Sequence, residues 1–367
     1  MADNKGTRRI YIDLLKIVAM ALVFYVHTGV KAMHHYSIAG EKSSYWISMF
    51  MFVIATAGPT IFFFISGGLL LGKEESLKDV LLKRVLRYTI LLLIFKLIQL
   101  IVLLNTNPIY NEIPEYKENF FGTVLKVLYS DTIIEQYWFL HTYLGFILML
   151  PFLRAMVSKL KDEFFIYLIA LFVGINEVLM IVEYYWEVER IDLDMPFFKL
   201  GLIVPVIGYY FINRFKDHTK DLKFMIPINV LGWGFIIFDT YYSHVKYVED
   251  GLISSLGATS VIIAIVLYCD IKAICDLNKK DYPKWIVTII SVCASGSLVT
   301  FLLDPQIHDW TMSVYEFIEE KINWVGAVIC WAICGLTIGI LIAWVLRLIP
   351  FVGILFGAKP PKKKESK

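Results

Sequence analysis

The chain has 367 residues, of which 58% are hydrophobic and 19% are charged, and its formal net charge is +2. A soluble domain of this length cannot bury so much apolar surface, because the burial that one core provides levels off in chains of this size. The composition therefore excludes an ordinary soluble protein, and the small net charge excludes a bulk electrostatic attraction to nucleic acid.

Ten apolar stretches approach the roughly 20 residues that a helix needs to cross a bilayer. Backbone polar groups inside lipid must be satisfied within the segment, so these stretches are predicted to be helices. We predict an all-α integral membrane protein, multi-pass in the cell membrane, with a polytopic domain over residues 1–350 and a basic tail over residues 351–367. The predicted spans are 10–30, 47–72, 84–105, 136–157, 164–183, 196–213, 223–242, 252–271, 284–303 and 323–347.

The orientation is predicted from the charges of the loops. Lys and Arg gather next to the N-terminus, in every second loop and in the tail, which places both termini in the cytoplasm. The opposite loops are acidic, and the loop predicted after the ninth span carries Asp304, Asp309 and Glu316. The first span has no evident cleavage site and is predicted to be a signal anchor. The longest outer loop, 105–135, is expected to contain a short amphipathic helix.

The first predicted span carries three ionisable side chains, Asp13, Lys16 and His27. Such groups are costly in a lipid-spanning segment and are therefore functional candidates. The step from Lys16 to His27 completes about three turns, so both side chains lie on one face. Asp13 lies one turn before Lys16, where the two can pair. The alternative is that Asp13 and Lys16 reach the inner interface while His27 ends the helix.

A basic pair, Arg84 and Arg87, begins the third predicted span. The two lie on one helix face and could grip phosphate groups in bidentate fashion. The alternative is that they only follow the excess of basic residues at the cytoplasmic side. In the second span, Ser66 and Gly67 allow either a ligand or another helix to approach the backbone closely.

The fourth predicted span opens with Tyr137, Trp138 and His141. These side chains could line a cavity for a hydroxylated substrate, or they could belong to an interfacial aromatic belt. Glu177, in the fifth span, is our candidate for a carboxylate that orients a histidine.

The cysteines Cys330 and Cys334 share a helix face but have no His or acidic residue beside them. We therefore expect them to pack against other helices, and we expect no metal site.

Four of these motifs, in this order, resemble those of membrane acyltransferase family 3, which includes bacterial O-acetyltransferases of cell-envelope polysaccharides. Lys16, ten residues and then His27 is similar to the family's Arg, ten residues, His. The other similar segments are the Phe-Ile-Ser-Gly-Gly-Leu-Leu run at 64–70, the pair Arg84 and Arg87, and the segment 137–153. Lys16 departs from the family's Arg, since it keeps the charge but lacks the planar fork that grips phosphate.

The resemblance implies transfer of an acyl group, most often acetyl, from cytoplasmic acyl-CoA to a hydroxyl of a cell-surface polysaccharide or glycolipid. Under this hypothesis His27 is the general base, helped by Lys16 and Glu177. The residues expected to bind the donor are Lys16, Arg84, Arg87, Ser66 and Gly67. The acceptor contacts Tyr137, Trp138 and His141. The competing hypotheses are an exporter or flippase of polysaccharide intermediates, which would need no acyl donor, and a non-catalytic sensor or assembly factor.

Overall fold

The computed structural model describes residues 9–40, 42–106, 119–129, 137–186, 188, 196–251, 257–277 and 282–349. The regular secondary structure of this part of the chain is helical. The predicted basic tail, 351–367, lies outside the described residues.

The helices follow one another along the chain with short connections. In order they are α1 Ile10–Val26, α2 Lys42–Ala55, α3 Ala57–Leu70, α4 Leu77–Asp79 continued by Leu86–Thr106, α5 Phe120–Tyr129, α6 Trp138–Lys159, α7 Asp162–Val173 continued by Leu179–Trp186, α8 Leu200–Tyr209, α9 Leu222–Asp250, α10 Thr259–Leu277, α11 Lys284–Lys321 and α12 Trp324–Leu348. Three π-helical turns interrupt or extend them, Val80–Val85 in α4, Gly174–Val178 in α7 and Tyr210–Arg214 after α8. The helix α5 lies in the segment where a short amphipathic helix was expected.

Seven helical segments in the described part of the chain are long and apolar enough to cross a membrane. They overlap seven of the predicted spans and establish a multi-pass, all-α membrane protein. The segments are Ser43–Leu70, Leu77–Asn105, Trp138–Lys159, Asp162–Glu183, Leu222–Glu249, Lys284–Lys321 and Trp324–Leu348.

The three remaining predicted spans also contain helices, namely α1, α8 and α10. Each of these is too short or too rich in charge to count as a span by length and composition alone. In each of these helices, about half or more of the residues are buried by the rest of the protein. The total of ten spans and the cytoplasmic location of both termini therefore stay predictions.

The helix α11 corrects the predicted boundary of the ninth span. It runs unbroken for 38 residues, about 57 Å at 1.5 Å per residue, whereas the predicted span ends at residue 303. Asp304 was predicted to lie in an outer loop, and this is wrong, because its side chain is fully buried in the middle of α11. The helix continues through Pro305, and the carboxylate finds its partners inside the protein.

The described residues form two compact units. The first contains the chain up to Gly72 and again from Lys159 to Leu348, and the second contains the chain from Lys73 to Ser158. In the first unit, α1 packs against α3, α10, α11 and α12, so it has protein on several sides. In the second unit, α4 packs against α5.

Candidate active site

The helix α1 places His27 at its C-terminal end. Its buried positions, among them Leu15, Ala19 and Phe24, recur at helical spacing and face the surrounding helices. His27 is the C-cap residue, and Gly29 follows with a φ of 57°, a left-handed conformation that glycine adopts without strain. The chain therefore turns away directly after His27, whose side chain keeps 20% of its surface exposed.

The imidazole of His27 is paired with the carboxylate of Asp304. Nδ1 of His27 lies within hydrogen-bonding distance of Oδ2 of Asp304, from the middle of α11. The Asp304 side chain has no exposed surface, and a buried carboxylate is costly unless it is paired. With the proton on Nδ1 donated to Asp304, Nε2 of His27 is the nitrogen that can accept a proton from a substrate.

A second histidine lies on the other side of this carboxylate. Nδ1 of His308, one turn further along α11, is 3.4 Å from Oδ1 of Asp304. The His308 ring packs against Phe24 and Trp331, with ring centroids 4.3 and 4.4 Å away. Trp331 is itself held by a hydrogen bond from Nε1 to Oγ1 of Thr311, 2.6 Å long. Asp304 thus lies between two imidazoles, one of which packs against aromatic rings.

The predicted pair at the start of α1 is present. Nζ of Lys16 lies 3.6 Å from Oδ1 of Asp13, and the Asp13 side chain is largely buried while that of Lys16 is about a quarter exposed. This agrees with the predicted pairing of the two side chains. The helix carries both this ion pair and His27, as the sequence predicted.

Glu177 does not lie against His27, which corrects the predicted carboxylate partner. Its Oε1 accepts a hydrogen bond from the backbone N–H of Ala258, the residue that precedes α10. The first backbone N–H groups of a helix have no partner within the helix and carry partial positive charge. Glu177 therefore stabilises the N-terminus of α10, and Asp304 takes the place beside His27.

Gly67 is enclosed by a helix and not by a ligand-sized space. A Cβ atom at this position would meet the backbone of Pro205 in α8, and one at Gly208 of α8 would meet the backbone of Phe64 in α3. The two glycines let α3 and α8 pack with their backbones close together. Gly67 is thus a helix-packing residue, which corrects its prediction as a donor-binding residue. Ser66, its neighbour, is half-buried.

The predicted basic pair lies in the second unit. Nε and Nη2 of Arg84 donate to the two oxygens of Glu75, at 2.8 and 2.5 Å. The guanidinium of Arg87 lies over the ring of Tyr88, 5.4 Å from its centroid. Arg84 is therefore in bidentate contact with a carboxylate of the chain itself, and its contact with a phosphate group stays a prediction.

The residues predicted to contact the acceptor lie at the start of α6, also in the second unit. Tyr137 is fully buried and Trp138 is 42% exposed. His141 is half-buried, and its Nδ1 lies 3.0 Å from the backbone oxygen of Tyr137. An exposed indole beside a buried phenol is compatible with either the interfacial belt or a substrate contact.

Sequence reasoning missed Asp304 and His308. Their i, i+4 spacing puts them on one helix face, but both fall after the end of the predicted ninth span and directly beside Pro305 and Asp309. Extending the helical pattern through Pro305 to Trp310 would have placed a carboxylate and an imidazole on one face. Among the residues described here, no group of three or more His, Cys, Asp or Glu side chains could hold a metal ion.

The comparison with protein families gives a match over nearly the whole chain. A family model described as an acyltransferase domain, of the type-3 acyltransferases, matches residues 9–348. The match runs from the residue before α1 to the end of α12 and so contains both His27 and Asp304. No curated protein and no solved structure matches the chain significantly.

Proposed function

The chain belongs to the membrane acyltransferase family 3 and is an acyltransferase, and from this premise we propose that it moves an acyl group, acetyl, from cytoplasmic acyl-CoA to a hydroxyl of a cell-surface polysaccharide or glycolipid. Three features support the proposal: the family, the multi-pass helical fold, and a histidine paired with a buried carboxylate. The last of these carries the chemistry.

The pairing of His27 with Asp304 is suited to general-base catalysis. The carboxylate fixes the proton on Nδ1, so Nε2 presents its lone pair. When His27 takes up a second proton, the negative charge of Asp304 stabilises the imidazolium that forms. The 20% exposure of the His27 side chain leaves room for contact with a substrate.

The reaction that these groups support is a direct transfer. The acceptor hydroxyl gives its proton to Nε2 of His27 while its oxygen attacks the carbonyl carbon of the thioester. The bond from this carbon to sulfur then breaks, and the proton on His27 passes to the departing thiolate. The products are an ester on the acceptor and free coenzyme A, so protons and electrons balance without a metal or a redox partner.

The donor carries several phosphate groups, and basic residues of the chain would hold them. Lys16, Arg84 and Arg87 are the proposed contacts. Arg84 already binds a carboxylate through two nitrogens, which is the geometry that a guanidinium also offers to phosphate. Lys16 supplies charge only, because an ammonium group cannot bind in bidentate fashion.

The acceptor is proposed to contact Trp138, with Tyr137 and His141 supporting it from the start of α6. Of the three, Trp138 has the most exposed ring, and an aromatic face packs well on the C–H face of a sugar. This part of the proposal depends on side-chain chemistry alone and is tested separately, by the acceptor KM of Trp138→Ala.

The transfer itself is tested with the purified protein, acetyl-CoA labelled in the acetyl group, and a polysaccharide or glycolipid acceptor. The wild-type protein is expected to transfer label, and His27→Ala is expected to lose transfer by about 10²–10⁴-fold, the usual contribution of a general base. The matched control is His218→Ala, which removes an exposed histidine of the connection before α9.

Two outcomes would contradict the proposal. One is an equal rate of transfer for wild-type protein and His27→Ala. The other is no label transfer to any acceptor together with intact flux of polysaccharide intermediates in vesicles that contain the protein.

A further inference from the structure

Two arginines converge on one carboxylate in the second unit. Glu75 lies in the non-helical stretch 73–76 that precedes α4. Arg84, in the π-helical turn of α4, binds both of its oxygens. Arg154, near the end of α6, adds a third hydrogen bond from Nη2 to Oε2, 2.8 Å long. Glu75 and Arg84 are nine positions apart, but Arg154 follows Glu75 by 79 positions, so the tertiary structure brings the second arginine to this point.

Taken together, the side chains of Glu75, Arg84 and Arg154 carry more positive than negative charge, which attracts anions. Two guanidinium groups carry a charge of about +2, and one carboxylate supplies −1. Hydrogen bonds from Arg84, followed by those from Arg154, hold the pKa of Glu75 at about 2, below its usual range. Glu75 is therefore ionised throughout the physiological pH range, and it stays bound to the arginines as an anion.

The partial burial of the arginines makes this more than an ordinary surface ion pair. The side chains of Arg154, Arg84 and Glu75 keep only 11%, 21% and 25% of their surface exposed. Exposed pairs contribute little because water screens them, while partly buried guanidinium groups bind anions more strongly. The nearby pair of Lys83 and Asp79 shows the contrast, since the Lys83 side chain is 75% exposed.

The backbone around Glu75 allows the carboxylate to be replaced. Glu75 lies outside the helices, and its neighbours in 73–76 are exposed, so its side chain can turn away without breaking helical hydrogen bonds. Arg84 and Arg154 are held on helices. The π-helical turn that carries Arg84 is a feature often found at functional sites. The arginines thus lie on helices, whereas Glu75 lies on the non-helical stretch, where its side chain can be displaced.

We propose that Arg84 and Arg154 form a phosphate-binding site, and that Glu75 occupies this site until a phosphate group of the acyl donor displaces its carboxylate. Phosphate offers the same oxygen geometry to a guanidinium and carries more charge than a carboxylate. Arg154 thereby joins the donor-binding residues, and Glu75 acts as a competing internal anion. This inference deepens the proposed function and rests on it for the identity of the donor.

The test measures binding of coenzyme A to the purified protein by calorimetry, without an acceptor, so that no acyl transfer is needed. Arg154→Ala is expected to weaken binding about tenfold or more, the effect of losing one hydrogen bond between charged groups. Arg154→Lys keeps the charge and loses the fork, and should give an intermediate loss. Glu75→Gln is expected to tighten binding severalfold, because it removes the competing charge while keeping the size of the side chain.

Asp79→Asn is the matched control. It removes a nearby carboxylate, at the end of the first turn of α4, that pairs with exposed Lys83, so binding should stay within twofold of wild type. Thermal stability of each variant is measured alongside. A Glu75→Gln protein that is folded and binds coenzyme A no more tightly than wild type would show that Glu75 does not compete with phosphate. An Arg154→Ala protein that is folded and binds as wild type does would overturn the site.

A phosphate group could also come from an anionic lipid. A second experiment distinguishes lipid phosphate from the phosphate of coenzyme A. Binding is repeated in nanodiscs of phosphatidylcholine alone and of phosphatidylcholine with phosphatidylglycerol. If Arg154→Ala reduces binding of phosphatidylglycerol and leaves binding of coenzyme A unchanged, the site serves lipid and the proposal is wrong.

Failure of this phosphate-binding site and failure of the proposed acyl transfer give different results. Coenzyme A binding with the expected dependence on Arg154 and Glu75, but no transfer of label, supports this site and contradicts the transfer. Normal transfer with coenzyme A binding that is indifferent to both residues supports the transfer and contradicts this site.

Discussion

At the scale of single residues, the central feature is a buried carboxylate that is hydrogen-bonded to His27 and has a second imidazole nearby. Oxygen Oδ2 of Asp304 faces His27, and Oδ1 faces His308. The charge of Asp304 is fully buried, so it would be strongly destabilising without these partners. The expected role of Asp304 is to orient His27 and to stabilise its protonated form. His308 packs between Phe24 and Trp331, and its Nδ1 lies 3.3 Å from the backbone oxygen of Asp304.

Replacing Asp304 with asparagine tests this role. Asp304→Asn keeps the size of the side chain but removes its negative charge, so the imidazolium of His27 is no longer stabilised. We expect kcat to fall about 10²–10⁴-fold, with the KM for the donor nearly unchanged, because Asp304 is not proposed to touch the donor. The measurement is the rate of label transfer at several concentrations of acetyl-CoA.

The control for this substitution lies on the same helix. Asp309→Asn removes an exposed carboxylate of α11 and should leave kcat within twofold of wild type. If Asp304→Asn is as stable and as active as Asp309→Asn, the carboxylate does not assist His27, and the base must act without it.

At the scale of helices, the close approach of α3 and α8 holds the centre of the first unit together. Gly67 of α3 faces the backbone of Pro205, and Gly208 of α8 faces that of Phe64. Since α1 also packs against α3, the spacing of α3 and α8 bears on the position of the helix that carries His27. The Ser-Gly-Gly run was predicted to permit a close approach by either a helix or a ligand, and for Gly67 the structure shows a helix.

Adding a methyl group at Gly67 tests the packing. Gly67→Ala would force a Cβ atom into backbone that cannot rotate away, so we expect a destabilisation of about 1–3 kcal/mol, seen as a lower midpoint of thermal unfolding in detergent. Gly234→Ala is the control, because this glycine of α9 is exposed and nothing lies within 4 Å of an added Cβ. Alanine favours a helix over glycine, so the control should be neutral or slightly more stable. Equal midpoints for both variants would show that α3 and α8 are not in close contact.

At the scale of the whole molecule, the unusual helices are those that are shielded by protein. Three predicted spans, now α1, α8 and α10, do not meet the length and hydropathy that a lipid-exposed helix needs. α1 carries the pair Asp13 and Lys16. α10 carries Lys272, which is largely buried and whose Nζ lies 2.5 Å from Oδ2 of Asp276. A helix surrounded by other helices can carry paired charges because its polar groups face protein and not lipid. Shielded charges account for α10, while α1 with 17 residues and α8 with 10 residues are short of a full span by length. The total of ten spans stays a prediction from the loop charges.

The predicted orientation is tested with reporter fusions. A fluorescent protein joined after Lys220 should be fluorescent, because that connection is predicted to be cytoplasmic, and alkaline phosphatase joined there should be inactive. Fusions after Ile322, between α11 and α12, should show the opposite pattern. If the fusions at the two positions show the same pattern, the number of spans between them is even, and the predicted topology is wrong.

The sequence by itself determined the seven membrane helices that the structure supports and the location of Lys16 at one end of α1 and of His27 at the other. These properties depend on transfer free energies and on spacing within about 20 residues of chain. It could not determine the partner of His27, since Asp304 follows 277 positions later and is selected by how α1 and α11 pack. The same holds for Glu177, which lies within the candidate span Asp162–Glu183 and accepts a hydrogen bond at the start of α10. It holds also for Glu75, which meets Arg154 across 79 positions. Contacts of this kind depend on which helices become neighbours, and only the tertiary structure decides that.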